Sequence, residues 1–224
     1  MPAARADPPP SAADYYLDAD LGSDSNDCLG PDGDPSHAPC ATIDHIQQLD
    51  PSGVVTIHLA TGEYGAPPDG PAKFMYIVGD TDATITSGLS FAHGASLSNL
   101  TVRGANDPDA PGPGLELGNS DLSPADYVLD GVAVLAGNTA SPGVGSANAL
   151  DLSGATNLTA TNSSFAAGDS GWVLHSTSAD ASLHIDGSSL QVGSGGRGLQ
   201  LDGGGHASLS DTTIDGADAN YGIV

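Results

Sequence analysis

Five segments of the chain share one pattern: Asn99-Leu100-Thr101-Val102, Gly131-Val132-Ala133-Val134, Asn162-Ser163-Ser164-Phe165, Gly187-Ser188-Ser189-Leu190 and Asp211-Thr212-Thr213-Ile214. Each begins with Asn, Gly or Asp, continues mostly with small or β-branched residues, and ends with one large apolar residue. The steps between their first residues are 32 (99 to 131), 31 (131 to 162), 25 (162 to 187) and 24 (187 to 211) positions. Spacing in this range is typical of solenoid proteins.

Two further columns accompany the first in every repeat. The second column contains Gly114-Leu115-Glu116-Leu117, Ala149-Leu150-Asp151-Leu152, Gly171-Trp172-Val173-Leu174, Gly198-Leu199-Gln200-Leu201 and Gly222-Ile223-Val224. The third column pairs Ala95 with Leu97, Tyr127 with Leu129, Leu158 with Ala160, Leu183 with Ile185, and Ala207 with Leu209. Each repeat therefore holds three short strands whose alternate residues are apolar, which turns one face inward.

A unit of three short strands cannot bury its inner face alone, whereas stacked copies can. A β-sandwich also has short strands and turns, but it would not place the same three strands in the same order five times. The sequence therefore predicts an all-β protein, a parallel β-helix with three short strands per coil.

The net charge is −24, from 28 acidic and four basic residues in a chain of 224. A surface of this sign repels nucleic acid and anionic membrane, so we expect neither as a partner. It also disfavours attraction of a polyanionic polysaccharide unless metal ions intervene. Nearly all the acids are Asp, which suits turns; salt adaptation and divalent-cation binding are alternative explanations. No apolar run is long enough to cross a membrane.

The chain divides into three regions. Residues 1–13 form a Pro/Ala-rich lead that lacks the apolar core of a signal peptide, and we expect it to be disordered. Residues 14–52 form an N-terminal cap, and residues 53–224 form the β-helix. Because the sequence stops in the middle of a coil, we expect the β-helix to be truncated, with further chain or a partner subunit covering its open end.

The cap combines a strand with a short helix. Tyr15-Tyr16-Leu17 predicts the strand, and Thr42 can N-cap a helix through Leu49, with Ile43, Ile46 and Leu49 on one face. Such a helix is suited to cover the open apolar end of the first coil.

The only two cysteines, Cys28 and Cys40, both lie in the cap. The alternatives are one disulfide or two free thiols in a cytosolic protein. We favour the disulfide, which implies an oxidising compartment. A zinc site is disfavoured because no further His or Cys lies at ligand spacing.

The cap sequence resembles a known family. It reads Tyr15-Tyr16-Leu17-Asp18-Ala19-Asp20-Leu21-Gly22-Ser23-Asp24-Ser25-Asn26-Asp27-Cys28, then Pro39-Cys40-Ala41-Thr42-Ile43, then Val55-Thr56-Ile57-His58-Leu59 and Gly62-Glu63-Tyr64. This is similar to the cap and first coil of secreted bacterial right-handed parallel β-helix proteins of the pectate-lyase-like superfamily. The match departs at Gly53-Val54, where such proteins often have Gly-Asp. The resemblance implies a right-handed β-helix and a secreted or cell-surface location, more than a reaction.

Glu116 and Asp151 are the candidate catalytic acids, because they point outward at equivalent positions of neighbouring coils. Two such carboxylates can bind Ca²⁺ or share a proton as acid and base. Lyases of the resembled family use acidic calcium ligands with a basic residue. Arg197 is the catalytic base candidate here, and Arg103 and His175 are candidate binding residues. The alternative is a pair of solvated surface acids.

In the next two coils, the outward position equivalent to Glu116 and Asp151 is expected to be occupied by Val173 and Gln200. Trp172 is expected in the core. Two long loops, Gly104–Pro113 and Ala136–Asn148, leave the same corner of the predicted coil, which is often the binding side of a solenoid.

A second candidate metal site lies in the cap, where four aspartates are interleaved with Gly, Ser and Asn: Asp18, Asp20, Asp24 and Asp27. They suggest a calcium loop, although the spacing is not that of an EF-hand and no Glu closes the set. The alternative is that they are turn residues that hold the cap together.

Two functions remain open from the sequence. The first is a secreted or surface-displayed β-helix scaffold that binds extracellular polysaccharide. The second is a calcium-dependent polysaccharide lyase or a glycoside hydrolase that acts on the long-loop side.

Overall fold

The computed structural model describes residues 13–31, 37–49, 54–67, 74–107, 111–118, 124–137, 147–202, 205–216 and 221–223. The strands form three sheets, and all their pairings are parallel. Consecutive strands of a regular coil belong to different sheets, so each sheet collects one strand per coil. The protein is therefore a parallel β-helix, and the fold predicted from the repeats is confirmed.

Each sheet is a ladder of short strands. The eight-stranded sheet consists of Ala13–Leu17, Val55–Leu59, Met75–Gly79, Ala95–Ser98, Ala125–Asp130, Thr156–Thr161, Ser182–Asp186 and His206–Ser210. The seven-stranded sheet consists of Gly62–Gly65, Ala83–Thr86, Thr101–Arg103, Ala133–Leu135, Ser164–Ala166, Ser189–Gln191 and Thr213–Asp215. The six-stranded sheet consists of Leu89–Phe91, Leu115–Leu117, Leu150–Leu152, Trp172–Ser176, Arg197–Leu201 and Tyr221–Ile223.

Apolar side chains at equivalent positions of successive coils form continuous rows inside the β-helix. In the seven-stranded sheet, Val134 pairs with Val102 and Phe165, and Phe165 pairs in turn with Leu190. These four residues are at most 1% exposed. A similar row in the eight-stranded sheet consists of Leu97, Leu129, Ala160 and Ile185. Burial of one Val, Leu or Phe side chain contributes about 1.5–3 kcal/mol, so the rows are the main source of stability.

One corner of the coil has a left-handed backbone in each regular repeat. The first residues of the five repeated segments have φ of 54° (Asn99), 66° (Gly131), 51° (Asn162), 57° (Gly187) and 45° (Asp211). Gly, Asn and Asp tolerate this conformation better than other residues. This corner explains why every copy of the pattern begins with one of these three residue types.

The predicted alignment of the second column is wrong in one coil. It placed Leu174 level with Leu152, whereas Leu174 pairs with Leu150 on one side and with Leu199 on the other. The error is two residues. Because a two-residue shift keeps the inward and outward faces of a strand unchanged, apolar alternation does not reveal it.

The corrected register changes the outer surface of the six-stranded sheet. His175 is the residue opposite Asp151. Independently of the register, the start of this strand departs from strict alternation, because Val173, predicted to point outward, is fully buried. Trp172, predicted in the core, pairs with Arg197 and is only partly buried. The prediction of a core tryptophan is therefore wrong.

The cap helix spans Ile43–Leu49 and lies where the sequence predicts it. Thr42 Oγ1 accepts a hydrogen bond from the His45 N–H at 3.2 Å, which is an N-cap contact. Ile43 and Ile46 are fully buried, but Leu49 is 46% exposed, so the apolar face is one residue shorter than predicted. In the part of the chain that the structure describes, no helix has the length and apolarity needed to cross a bilayer.

A strand attaches the cap to the β-helix, and a disulfide cross-links the cap internally. The cap strand Ala13–Leu17 pairs along its whole length with Val55–Leu59 and forms the edge of the eight-stranded sheet. Cys28 and Cys40 form a disulfide with both residues fully buried, so the predicted pairing is confirmed. The Cys40 carbonyl accepts a hydrogen bond from the Asp18 N–H at 3.0 Å, which ties the bridge to the end of the cap strand.

Candidate functional site

A row of polar side chains follows the outer face of the six-stranded sheet. Its members occupy equivalent positions of five neighbouring strands: Ser90, Glu116, Asp151, His175 and Gln200. Adjacent backbones in such a ladder lie about 4.8 Å apart. Glu116 is exposed, and the side chains of Asp151 and His175 are 31% and 25% exposed. The predicted acidic pair is therefore part of a longer polar row.

Asp151 is the most constrained member of the row. Its Oδ1 accepts a hydrogen bond from Asn148 Nδ2 at 2.7 Å and lies 3.3 Å from His175 Nδ1. Asn148 is itself fixed, because its Oδ1 accepts the backbone N–H of Trp172 at 2.8 Å. These contacts hold the Asp151 carboxylate and the His175 ring in a defined relative orientation.

His175 stands between two carboxylates. On the side away from Asp151, its Nε2 lies 3.9 Å from Asp202 Oδ2. The other oxygen of Asp202 accepts a hydrogen bond from Gln200 Nε2 at 2.7 Å. The 3.9 Å separation is too long for a hydrogen bond, so the hydrogen bond of the imidazole in this row is the one between Nδ1 and Asp151.

Trp172 borders this polar row and contacts two of the residues singled out by the sequence. The Arg197 guanidinium carbon lies 4.9 Å from the indole centroid, within the range of a cation–π interaction. The His175 ring is nearly parallel to the indole, at 20° and 6.0 Å between centroids. The structure therefore places a partly exposed aromatic ring directly beside the polar row.

The row lines a surface groove. A hollow of about 380 Å³ is bounded by four members of the row, Ser90, Glu116, Asp151 and His175, together with Asn148, Ser153 and Thr177. A neighbouring hollow of about 280 Å³ shares Ser90 and Glu116 with it and extends toward Pro67. We call these two adjoining hollows together the polar groove.

The sequence-predicted site residues divide into two groups. Glu116, Asp151, His175 and Arg197 lie together on the six-stranded sheet. Arg103 does not join them, because it ends a strand of the seven-stranded sheet and lines a separate groove of about 610 Å³. The parts of the long loops at 108–110 and 138–146, which were expected to border the site, lie outside the described residues.

The four cap aspartates do not form one ligand cluster. Asp18 Oδ1 accepts the backbone N–H groups of Asp20 and Leu21, both at 2.9 Å. Asp27 accepts the Leu29 N–H at 3.1 Å and lies 2.9 Å from His37 Nδ1, and these contacts lower the pKa of Asp27. Both carboxylates thus act in local turns.

Asp24 fixes the start of the cap helix. Its Oδ1 accepts the N–H groups of Ala41 and Thr42 at 3.0 Å, and its Oδ2 accepts the Thr42 hydroxyl at 2.7 Å. Within the described residues, the one group of three potential metal ligands with mutually close atoms is Cys28, Cys40 and His45, and both of its sulfurs belong to the disulfide. Calcium binding in the cap stays a prediction without support from the geometry.

Three residues of the site were missed by sequence reasoning: Asn148, Trp172 and Asp202. Asn148 follows a long loop and Asp202 follows a strand, so neither shows in an alternating pattern. The chain has a single tryptophan. Its place at the first position of a strand, directly after a short loop, was the available signal for exposure.

A scan against protein-family models, a search of curated proteins and a search of solved structures each give no significant match to this chain. The fold and the site define the protein as a parallel β-helix that carries a polar groove on its six-stranded sheet.

Proposed function

We propose that the protein is a secreted or cell-surface β-helix that binds an extracellular polysaccharide in the polar groove. The observation that carries the proposal is the partly exposed Trp172 ring beside the row that contains Asp151 and His175. An indole offers a flat apolar face with a polar edge, to which the C–H face of a sugar ring can pack.

The polar groups of the groove match a hydroxyl-rich ligand. Carboxylates accept hydrogen bonds, amides both donate and accept, and hydroxyls do the same. The groove contains all three kinds of group in Glu116, Asn148 and Ser153. Sugar hydroxyls likewise donate and accept, so such a lining can satisfy many of them at once.

The charge of the protein narrows the class of polysaccharide. With a net charge of −24, the protein repels a polyuronate or a sulfated glycan at moderate ionic strength. A neutral polysaccharide avoids this cost. The proposed ligand is therefore a neutral extracellular glycan.

Two observations are compatible with the proposed location. The Cys28–Cys40 disulfide is typical of oxidising compartments. The cap resembles that of secreted bacterial pectate-lyase-like β-helix proteins.

The alternative function is an enzyme, either a glycoside hydrolase or a calcium-dependent lyase. The register of Glu116 opposite Asp151 favours it, because carboxylates on adjacent strands start from backbones about 4.8 Å apart. Retaining glycosidases place their two carboxyl groups about 5–5.5 Å apart. Asp151 is held by Asn148 and His175, whereas Glu116 is exposed, so the two acids have different surroundings.

The binding proposal is tested with a panel of neutral and anionic polysaccharides, by calorimetry and by the fluorescence of the single tryptophan. We expect binding to at least one neutral polysaccharide, and Trp172→Ala should weaken it about tenfold, or roughly 1.4 kcal/mol. Tyr76→Ala is the matched control, because Tyr76 is also a partly exposed aromatic residue but lies on the eight-stranded sheet. Equal binding by wild type and Trp172→Ala would refute the proposal.

Product formation on the same panel of polysaccharides, with added calcium and with a chelator, distinguishes an enzyme from a non-catalytic binding protein. Release of reducing ends indicates a hydrolase, and release of unsaturated uronates indicates a lyase. Glu116→Gln and Asp151→Asn should then abolish turnover while polysaccharide binding persists. If the protein binds a polysaccharide but forms no product from any of those tested, the result contradicts the enzyme and supports the scaffold function.

A further inference from the structure

A small cleft lies at the junction of the cap and the first coils, on a different sheet from the polar groove. It has a volume of about 180 Å³ and lies on the eight-stranded sheet. Its lining residues come from the cap loop and from the ends of three adjacent strands: Tyr16, Leu17, Asp18, Pro31, Pro39, His58, Leu59, Ala60, Val78 and Asp80. We call it the cap cleft.

One wall of the cap cleft is aromatic. Tyr16 and His58 are direct register partners on the outer face of the sheet. Their rings stack with centroids 4.7 Å apart and planes 15° apart. His58 Nε2 lies 3.1 Å from Asp14 Oδ1, which fixes the imidazole beside the Tyr16 ring. Val78 continues the same outward row, so this wall consists of two stacked rings and an aliphatic side chain.

Two carboxylates stand at the carboxyl ends of these strands. Asp18 and Asp80 follow the paired positions Leu17 and Gly79, and Ala60 follows the strand between them. Hydrogen bonds from Ala60 N–H to the Leu17 carbonyl (2.9 Å) and from Asp80 N–H to the Leu59 carbonyl (2.8 Å) continue the ladder. The two acids are thus two strand spacings apart, about 10 Å at the backbone, with only a methyl side chain between them.

The hydroxyl of Tyr64 contacts the backbone of two residues that line the cleft. It lies 2.9 Å from the Ala60 carbonyl and 3.2 Å from the Leu17 carbonyl. Burial raises the pKa of Tyr64 to about 12, and the nearby charges of Asp18 and Asp80 act in the same direction. No Lys or Arg lines the cap cleft, and the two arginines of the described chain belong to the other two sheets.

The volume decides the size of the ligand. At about 30 Å³ per water molecule, the cap cleft holds roughly six waters. Pockets for drug-sized ligands occupy about 300–1,000 Å³, so an oligosaccharide is too large. A single long side chain or a small amine is of the right size.

We propose that the cap cleft binds an alkylguanidinium group, in contact with the stacked Tyr16–His58 pair and with its charge between Asp18 and Asp80. A guanidinium is planar, weakly hydrated and permanently charged, so it stacks on aromatic rings and pairs with carboxylates at the same time. A small guanidino compound and an arginine side chain of a partner protein share this chemistry. The proposal is independent of polysaccharide binding.

The test titrates butylguanidinium chloride into the intact protein at pH 8 and low ionic strength and follows the Tyr16 and His58 signals by NMR. Butylurea is the neutral isostere, and calcium chloride at matched ionic strength is the inorganic cation. We expect saturable 1:1 binding of butylguanidinium and none of butylurea. Equal binding of butylurea, displacement by calcium, or no binding of butylguanidinium would overturn the proposal.

Matched variants locate the site. Asp80→Asn should weaken butylguanidinium binding about tenfold, as expected for loss of one charge-assisted hydrogen bond. Asp82→Asn is the control, because it changes the net charge equally at an exposed position outside the cleft. Tyr16→Leu keeps an apolar side chain but removes the ring, and it should weaken binding as well. Thermal unfolding verifies that each variant is folded. If Asp80→Asn and Asp82→Asn weaken butylguanidinium binding equally, the proposed site is refuted.

A pair of peptides distinguishes the two sources of the group. A short peptide with a central arginine is compared with its citrulline counterpart and with butylguanidinium. Tighter binding of the arginine peptide than of butylguanidinium indicates a partner protein, and the reverse order indicates a small guanidino compound. Binding of the citrulline peptide as tight as that of the arginine peptide would contradict the proposal.

Discussion

The guanidinium of Arg197 lies over the indole of Trp172, with 4.9 Å between the guanidinium carbon and the ring centroid. The two residues are direct partners on neighbouring strands, so the sheet register itself creates the contact. The arginine therefore restricts the orientation of the aromatic ring that we propose as the sugar platform.

Replacement of this arginine should weaken polysaccharide binding moderately. Exposed cation–π contacts contribute about 0.5–1 kcal/mol, so Arg197→Ala should lower affinity about two- to fivefold and shift the fluorescence of Trp172. Arg103→Ala is the matched control, since that arginine lines a different groove. An equal loss of affinity in the two variants would mean that Arg197 acts only through overall charge.

The interior row through Phe165 should dominate stability. Phe165 is fully buried between Val134 and Leu190, so Phe165→Ala removes a large side chain from the stack. We expect a loss of about 3–5 kcal/mol in the free energy of unfolding, measured in urea. Ser164→Ala, on the outer face of the same strand, should change it by no more than about 0.5 kcal/mol. Similar effects of the two substitutions would argue against a continuous core.

The disulfide should stabilise the cap. It joins residues 12 positions apart, and closure of a loop of this size contributes about 3 kcal/mol in the chain-entropy model. Replacement of both Cys28 and Cys40 by Ser should lower the stability by about that amount. A reducing agent should destabilise the wild type to a similar extent and leave the double variant unchanged. If reduction destabilises both proteins alike, the effect does not arise from this bridge.

Asp24 should make the cap sensitive to acid. Burial alone would raise the pKa of Asp24, but the hydrogen bonds from Thr42 and Ala41 outweigh it and lower the pKa below its ordinary value of about 3.9. A carboxyl with a lowered pKa in the folded state stabilises the protein above about pH 4, and this contribution disappears as the pH falls through the folded-state value.

The Asp24→Ala variant tests this pH dependence. It should cost about 1 kcal/mol at neutral pH, as does loss of a helix cap, and its unfolding free energy should fall less steeply below pH 4 than that of the wild type. Asp180→Ala, at an exposed turn, is the control. If the unfolding free energies of the wild type and Asp24→Ala fall equally steeply below pH 4, Asp24 does not cause the acid sensitivity.

The sequence predicts the architecture well because two physical signals repeat. Left-handed corners restrict residue choice at positions such as Asn99 and Asn162, and inward positions such as Val134 and Phe165 must be apolar. Both constraints recur in every coil, so each copy reinforces the others. The disulfide was predictable for a simpler reason, since two cysteines allow only one pairing.

The site is less predictable because it depends on strand register and on residues outside the strands. The two-residue error at Leu174 hid the pairing of His175 with Asp151. Strict alternation placed Trp172 in the core, but the start of this strand departs from alternation and leaves the ring partly exposed. Arg103 looked close to the acidic pair along the chain, yet the next corner of the coil separates them into different sheets. Sequence spacing does not carry that information.

The left-handed corners also make each coil an interchangeable module. Duplication or deletion of one coil would preserve every corner and every interior row on either side of the joint. If that coil lay between the cap cleft and the end of the polar groove at Trp172 and His175, the distance between them along the helix axis would change by one strand spacing, about 4.8 Å. The spacing between the two surfaces therefore changes only in steps of whole coils. A partner that binds both surfaces at once would require a particular number of coils between them.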